Sequence, residues 1–133
     1  MSVVNQADKI ECRPFVKWVG GKSQLRWDLL SRLPTSFVGY FEPFLGGGAF
    51  FFALQPSKAY LADINRDLIN AYRVIQNNVS ELIEDLKQHK YDKDYYYKIR
   101  NIDRTLDYLE WNDVQRASRL IYLNKSCFRR IEA

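Results

Sequence analysis

Three short stretches of the chain carry side chains that could do chemistry. In Tyr40-Phe41-Glu42-Pro43-Phe44-Leu45-Gly46-Gly47-Gly48-Ala49 a short extended run meets a glycine-rich bend and then the start of an apolar helix. Such a bend brings bare backbone against a ligand, because glycine has no Cβ to hold it off. Upstream, Phe15-Val16-Lys17-Trp18-Val19-Gly20-Gly21-Lys22 sets an indole between two ammonium groups. Downstream, Ala59-Tyr60-Leu61-Ala62-Asp63-Ile64-Asn65 reads as a strand ending in a carboxylate. Asp63 follows Glu42 by roughly 20 residues, the offset at which a second-strand acid meets a ribose in nucleotide-binding α/β folds. Together the three stretches predict a site for a nucleoside-containing cofactor.

Each residue also has a plainer reading. Trp18 is either core, as most tryptophans are, or a wall of the cofactor site. Lys22 is either the opening of a following helix or a cation for a ligand. Asp63 could accept ribose hydroxyl protons, cap a helix from Arg66, or bond its own backbone. Pro43 removes a backbone donor and holds Glu42 extended, so Glu42 could order the bend or accept from a ligand amine. Gly46 and Gly48 leave room for a ligand, while Gly47 reads as a turn residue.

Two phosphate motifs are excluded. Gly21-Lys22-Ser23 resembles the end of a P-loop, but the first glycine of that motif would fall at Val16. Gly46 and Gly48 begin a dinucleotide fingerprint whose third glycine position is Phe51.

The elements that must position these groups follow from pattern. Strands are expected at Val38–Glu42 and Ala59–Asp63, with a weaker one near Phe15. A helix is expected over Ser23–Leu33, ended by Pro34. Ala49–Leu54 should be a short helix buried on all sides, closed by Pro56. After Asp63 the pattern turns all-helical. Asp67–Asn77 directs Leu68, Tyr72 and Ile75 inward. Asn78 and Glu81 read as a capping box for Val79–His89. Asp94–Arg100 carries Tyr95, Tyr96 and Tyr97, which are read as core more than as a base-stacking surface. Asn112 and Gln115 open a last helix through Asn124, with Val114, Ala117, Leu120 and Ile121 inward. His89 carries no chemistry on this reading. The expected division is 1–65 and 66–133.

The chain has 133 residues, 47% hydrophobic and 27% charged, with net charge +4. That charge mildly favours an acidic partner such as DNA. Arg116, Arg119, Lys125, Arg129 and Arg130 outnumber Asp113 and Glu132 near the end, which is either a solvated helix face or a DNA-facing one. Cys12 and Cys127 are isolated and have no metal-ligand spacing, which predicts reduced thiols and no metal. No apolar stretch is long enough to span a membrane, and a cytoplasmic protein is expected.

In order and spacing these stretches resemble the Dam-type (α-class, D12) DNA adenine N6-methyltransferases. The matching residues are Lys17-Trp18-Val19-Gly20-Gly21-Lys22, Glu42-Pro43-Phe44-Leu45-Gly46-Gly47-Gly48, Ala62-Asp63-Ile64-Asn65 and Tyr122-Leu123-Asn124-Lys125-Ser126-Cys127-Phe128. The resemblance implies an α/β fold, a partial methyltransferase sheet with an attached helical target-recognition subdomain. It implies S-adenosylmethionine (SAM) as cofactor, bound by Trp18, Lys22, Glu42, Pro43, Phe44, Gly46, Gly48 and Asp63. The ammonium of Lys22 would meet the methionine carboxylate. Double-stranded DNA is the implied partner, touched by Asn124, Lys125 and Arg129, and the implied activity is methyl transfer to adenine N6.

The family continues with a target-reading hairpin and, later, an Asp-Pro-Pro-Tyr catalytic loop. Neither motif occurs in this sequence. The strand inventory is also thin for a parallel sheet, which needs cover on both faces. The chain is therefore expected to be the N-terminal portion of an enzyme, with no catalytic residue of its own and inactive alone. Its complement would be a C-terminal half in trans. The alternative is a non-catalytic DNA- or protein-binding fragment.

Overall fold

Tyr40–Glu42 (β1) and Ala59–Leu61 (β2) pair in parallel, with Tyr40 opposite Ala59, Phe41 opposite Tyr60 and Glu42 opposite Leu61. This two-stranded sheet belongs to a computed structural model that describes residues 10–127. The chain divides into two units, one ending at Ile64 and the other beginning at Asn65. With helices and a two-stranded parallel sheet among the described residues, the fold is α/β, in a smaller form than a full doubly wound sheet.

In the first unit the strands are connected through Ala49–Leu54 (α2), the crossover that parallel strands require. Tyr40, Phe50 and Leu54 form the core, with Leu29, Leu30 and Leu33 packed on it from Arg26–Ser31 (α1) and the residues after it. Ala59 and Leu61 join from β2, so this face of the sheet is covered. The period of two along β1 buries Tyr40 and Glu42 and turns Phe41 outward.

Several expectations for this unit are corrected. The strands are shorter than the apolar runs, and the stretch around Phe15 forms no strand. Instead Phe15 sets its ring edge-on to Phe52, centroids 6.4 Å apart. Helix α1 begins at Arg26 because Lys22–Leu25 is taken up by a turn, Leu25 N–H donating to Lys22 C=O at 3.1 Å. Helix α2 matches its expected span but is not buried on all sides. Ala49, Phe50 and Leu54 are buried, whereas Phe51 and Phe52 are half-buried, since so short a helix offers one face to the sheet.

Among the described residues the second unit holds four α-helices, Arg66–Asn77 (α3), Val79–Leu86 (α4), Lys93–Asn101 (α5) and Asp113–Lys125 (α6), and two short 3-10 turns between α5 and α6. Asn65 caps α3, its side chain accepting from Leu68 N–H at 3.0 Å. Asn112 and Gln115 form the expected capping box on α6. Asn78 and Glu81 do not form one. Asn78 Nδ2 donates to Glu81 Oε2 at 2.6 Å, which spends both side chains on each other. The inward faces are also rotated. Helix α3 buries Leu68, Ala71 and Val74, and α6 buries Ala117, Ser118 and Tyr122.

His89 supplies the reason for the α6 face, through packing contacts. It lies half-buried, Nδ1 2.8 Å from Tyr95 Oη and Nε2 2.8 Å from Ser118 Oγ. Its ring stacks on Tyr122 at 4.5 Å. Burial lowers its pKa from the ordinary value of 6.5, and the charge of Asp85 opposes this. Tyr96, Ile99 and Tyr122 complete that core, with Tyr95 and Tyr97 packed against it.

Candidate functional site

The glycine bend is built from backbone pairing that runs past the strand ends. Ala62 N–H donates to Glu42 C=O at 2.8 Å, and Leu45 N–H donates to Ala62 C=O at 3.0 Å. The chain leaving β1 is thus folded back onto the end of β2. This geometry brings Asp63 to the bend, where its Oδ2 accepts from Gly46 N–H at 2.9 Å. The helix-capping role open to Asp63 is taken by Asn65 instead.

Glu42 lies beneath the bend, only 6% exposed. A carboxylate in that position must be paired, since burying an unpaired one is costly. Its Oε1 accepts from Lys22 Nζ at 2.8 Å, and its Oε2 accepts from Tyr40 Oη in a short hydrogen bond. Lys22 Nζ donates a second bond to Phe44 C=O at 2.8 Å. Tyr40, Glu42, Lys22 and Phe44 therefore form one chain of contacts from the core to the bend. Burial first, then the hydrogen bond and charge of Glu42, push the Tyr40 pKa far above the usual tyrosine value, so it stays a donor.

Trp18 packs over the same bend. A Cβ on Gly46 would meet Trp18 Cδ1 at 3.3 Å, and Gly46 has φ +54°. The space at Gly46 is thus filled by the indole. Gly47 is more than the turn residue expected, because a Cβ there would meet Val16 C=O at 3.1 Å. Gly48 has φ +74° and stands at the N-terminus of α2. Pro43 and Phe44 project outward, Phe44 79% exposed. The bend thus gathers Trp18, Lys22, Glu42, Pro43, Phe44, Gly46, Gly48 and Asp63 within one unit.

Sequence reasoning missed Tyr40 as a member of this set. The signal was available: two residues before Glu42 on one strand is the same face of the sheet.

In the second unit Asn124 and Lys125 stand in the last turn of α6, and Arg129 lies outside the described residues. The arginines before them are not a free basic face. Arg116 donates to the carbonyls of Trp111 and Tyr108, both at 3.1 Å, and Arg119 to those of Ile99 and Arg100 at 2.9 and 2.8 Å. Both guanidinium groups also lie over the Tyr108 ring. Among the described residues there is no group of side chains that could hold a metal, and no helix long and apolar enough to cross a membrane.

Residues 18–133 match the family described as D12 class N6 adenine-specific DNA methyltransferase. The chain is 43% identical over 120 residues to the Type II methyltransferase M1.LlaDCHI of Lactococcus lactis subsp. cremoris, covering 89% of this chain and 42% of that protein. It is 36% identical to the Type II methyltransferase M.MjaIII of Methanocaldococcus jannaschii, over 90% of this chain and 47% of the relative. It is 35% identical to the DNA adenine methylase of Haemophilus influenzae, over 90% and 42% respectively. The chain thus spans less than half the length of these relatives.

Proposed function

The chain belongs to the D12 class of N6 adenine-specific DNA methyltransferases, and from that premise we propose that the bend between β1 and α2 binds SAM. One observation carries the reading. The bend is held from both sides by groups of the chemistry this ligand needs, Lys22 on Phe44 C=O and Asp63 on Gly46 N–H.

The donor set suits SAM. A strand-end carboxylate accepts from ribose hydroxyls, an ammonium pairs with a carboxylate, and an indole and an exposed phenyl ring offer apolar cover to a base. SAM, when bound, supplies a methyl group on a sulfonium. The chain's own residues bind and orient. Asp63 accepts from the ribose while fixing Gly46. Lys22 presents its charge to the methionine carboxylate, and Glu42, locked by Tyr40, positions Lys22. Pro43 keeps Glu42 extended and Phe44 outward. Gly48 opens α2 with a backbone conformation that side chains disfavour.

The reaction this supports is methyl transfer to adenine N6 in double-stranded DNA, with Asn124, Lys125 and Arg129 meeting phosphates. Class members of this kind flip the target base out of the stack. The Asp-Pro-Pro-Tyr loop that would hold the adenine does not occur in this sequence, so on our reading the acceptor side belongs to the portion of such an enzyme that these 133 residues do not include. The competing reading is a non-catalytic binding fragment. Tritiated methyl transfer to mixed-sequence genomic DNA, with and without that portion, separates them. The chain alone should transfer nothing and the pair should transfer. Transfer by the lone chain, abolished by Lys22→Ala, would contradict the division of labour.

A further inference from the structure

Tyr40 stands at the core end of the contacts that lead to the bend. Its ring packs against Phe50 and Phe51 of α2, with centroids 5.7 and 6.4 Å away. Few torsions place a tyrosine side chain, so packing of the ring fixes where the hydroxyl points. The hydroxyl donates to Glu42 Oε2, Glu42 Oε1 accepts from Lys22 Nζ at 2.8 Å, and Nζ donates onward to Phe44 C=O at 2.8 Å. The Glu42 and Lys22 side chains are 7% and 35% exposed, so the relay runs from the interior toward solvent. An ammonium has three donors. Among the described residues these contacts engage two of them, which leaves one for a ligand.

Glu42 is costly where it stands. A buried ion pair gives little net stability over apolar side chains of similar volume, and the core beside it is the apolar cluster of Tyr40, Phe50 and Leu54. What the acid and the tyrosine add is the aim of Lys22. We infer that Tyr40 is a positioning residue for the carboxylate end of SAM, acting through Glu42 to hold Lys22 Nζ at Phe44 C=O. Tyr40, only 9% exposed, acts at one remove from the ligand. The inference rests on the SAM reading of the bend and adds the group that sets Lys22 in place before the ligand arrives. Such preorganisation raises affinity, because the long lysine stem loses its freedom on folding and not on binding. Burial raises the Tyr40 pKa, which keeps the hydroxyl a donor.

The test uses the full chain and calorimetry with SAM, on variants that keep the parent circular dichroism. Tyr40→Phe keeps the ring and should weaken binding about tenfold, as loss of a hydrogen bond to a charged group does. Lys22→Met should weaken it as well. On the Lys22→Met background, Tyr40→Phe should weaken binding by less than about twofold, because the group it places is gone. Glu42→Gln breaks the same relay one step on and should repeat this pattern if Tyr40→Phe does not fold. A second measurement contains no SAM. Acetylation of Lys22 by acetic anhydride, read by mass spectrometry against the exposed Lys98 of the other unit, should be slow in the parent and faster in Tyr40→Phe. Unchanged SAM affinity in Tyr40→Phe would overturn the inference, as would an unchanged acetylation rate at Lys22. Equal weakening on both backgrounds would also overturn it, since general loosening of the core gives that result. If the parent binds no SAM, or Lys22→Met binds it as tightly as the parent, the SAM reading falls instead, and the acetylation rates still decide whether Tyr40 places Lys22.

Discussion

Lys22 Nζ and Glu42 Oε1 lie 2.8 Å apart, and the same ammonium holds the carbonyl of Phe44. A buried acid on a core strand is thereby tied to the exposed Phe44 at the start of the bend. Stability of the core and shape of the candidate site share one set of contacts, which makes both open to the same substitutions.

Tyr40→Phe removes the donor to Glu42 Oε2 while keeping the ring. It should lower stability by about 1–3 kcal/mol, the cost of leaving a buried acceptor unsatisfied. Urea unfolding measures this. Phe41→Ser, one residue along but on the open face, should change it far less. Equal losses would mean that the alternation along β1 does not decide burial.

Glycine substitutions in the bend should separate by mechanism. Gly48→Ala keeps a positive φ and should cost about 1–2 kcal/mol. Gly47→Ala drives a methyl toward the Val16 carbonyl, a backbone atom that cannot swing away. Gly20→Ala meets nothing within 4 Å, so only its φ of +76° opposes it. Thermal melts should place Gly47→Ala and Gly48→Ala clearly below the parent. A neutral Gly47→Ala would show that the Val16 segment yields freely.

How much of this was legible in the sequence depends on the kind of signal. The Ala49–Leu54 helix and the Asn112–Gln115 cap were readable because local chemistry alone decides them. So was the approach of the strand-end acid to the bend, since parallel strands bring their C-terminal ends together. Asn78 and Glu81 have the residue types and spacing of a cap, yet their side chains bond one another; spacing does not distinguish the two outcomes. Tyr40 was overlooked although the strand period points to it. His89 was not legible, because its partners Tyr95 and Ser118 come from two other helices. Gly47 matters only through Val16, a contact that no local pattern encodes.

The His89 cluster makes stability depend on pH. Its pKa in the folded chain lies below the ordinary 6.5, so the unfolded chain takes up the proton first. Stability should be full above about pH 6.5 and should fall as pH drops through that value toward the lower folded one. Asp85 faces the ring and opposes the shift, while Tyr95, Ser118 and Tyr122 surround it. Urea midpoints between pH 8 and pH 5, compared with His89→Gln, check this. The variant should be less stable at high pH and flatter with pH. An unchanged slope would assign the acid sensitivity elsewhere.

The central claim is that the bend holds SAM through Asp63 and Lys22, and isothermal calorimetry of SAM against the chain tests it most directly. The parent should bind. Asp63→Ala should weaken binding by about 1–3 kcal/mol, since ribose hydroxyls lose their acceptor, and Lys22→Ala should weaken it as well, while Asn65→Ala, which strips the α3 cap, should leave it near the parent value. No binding by the folded parent, or an Asp63→Ala variant that folds and binds SAM as tightly as the parent, would contradict the account.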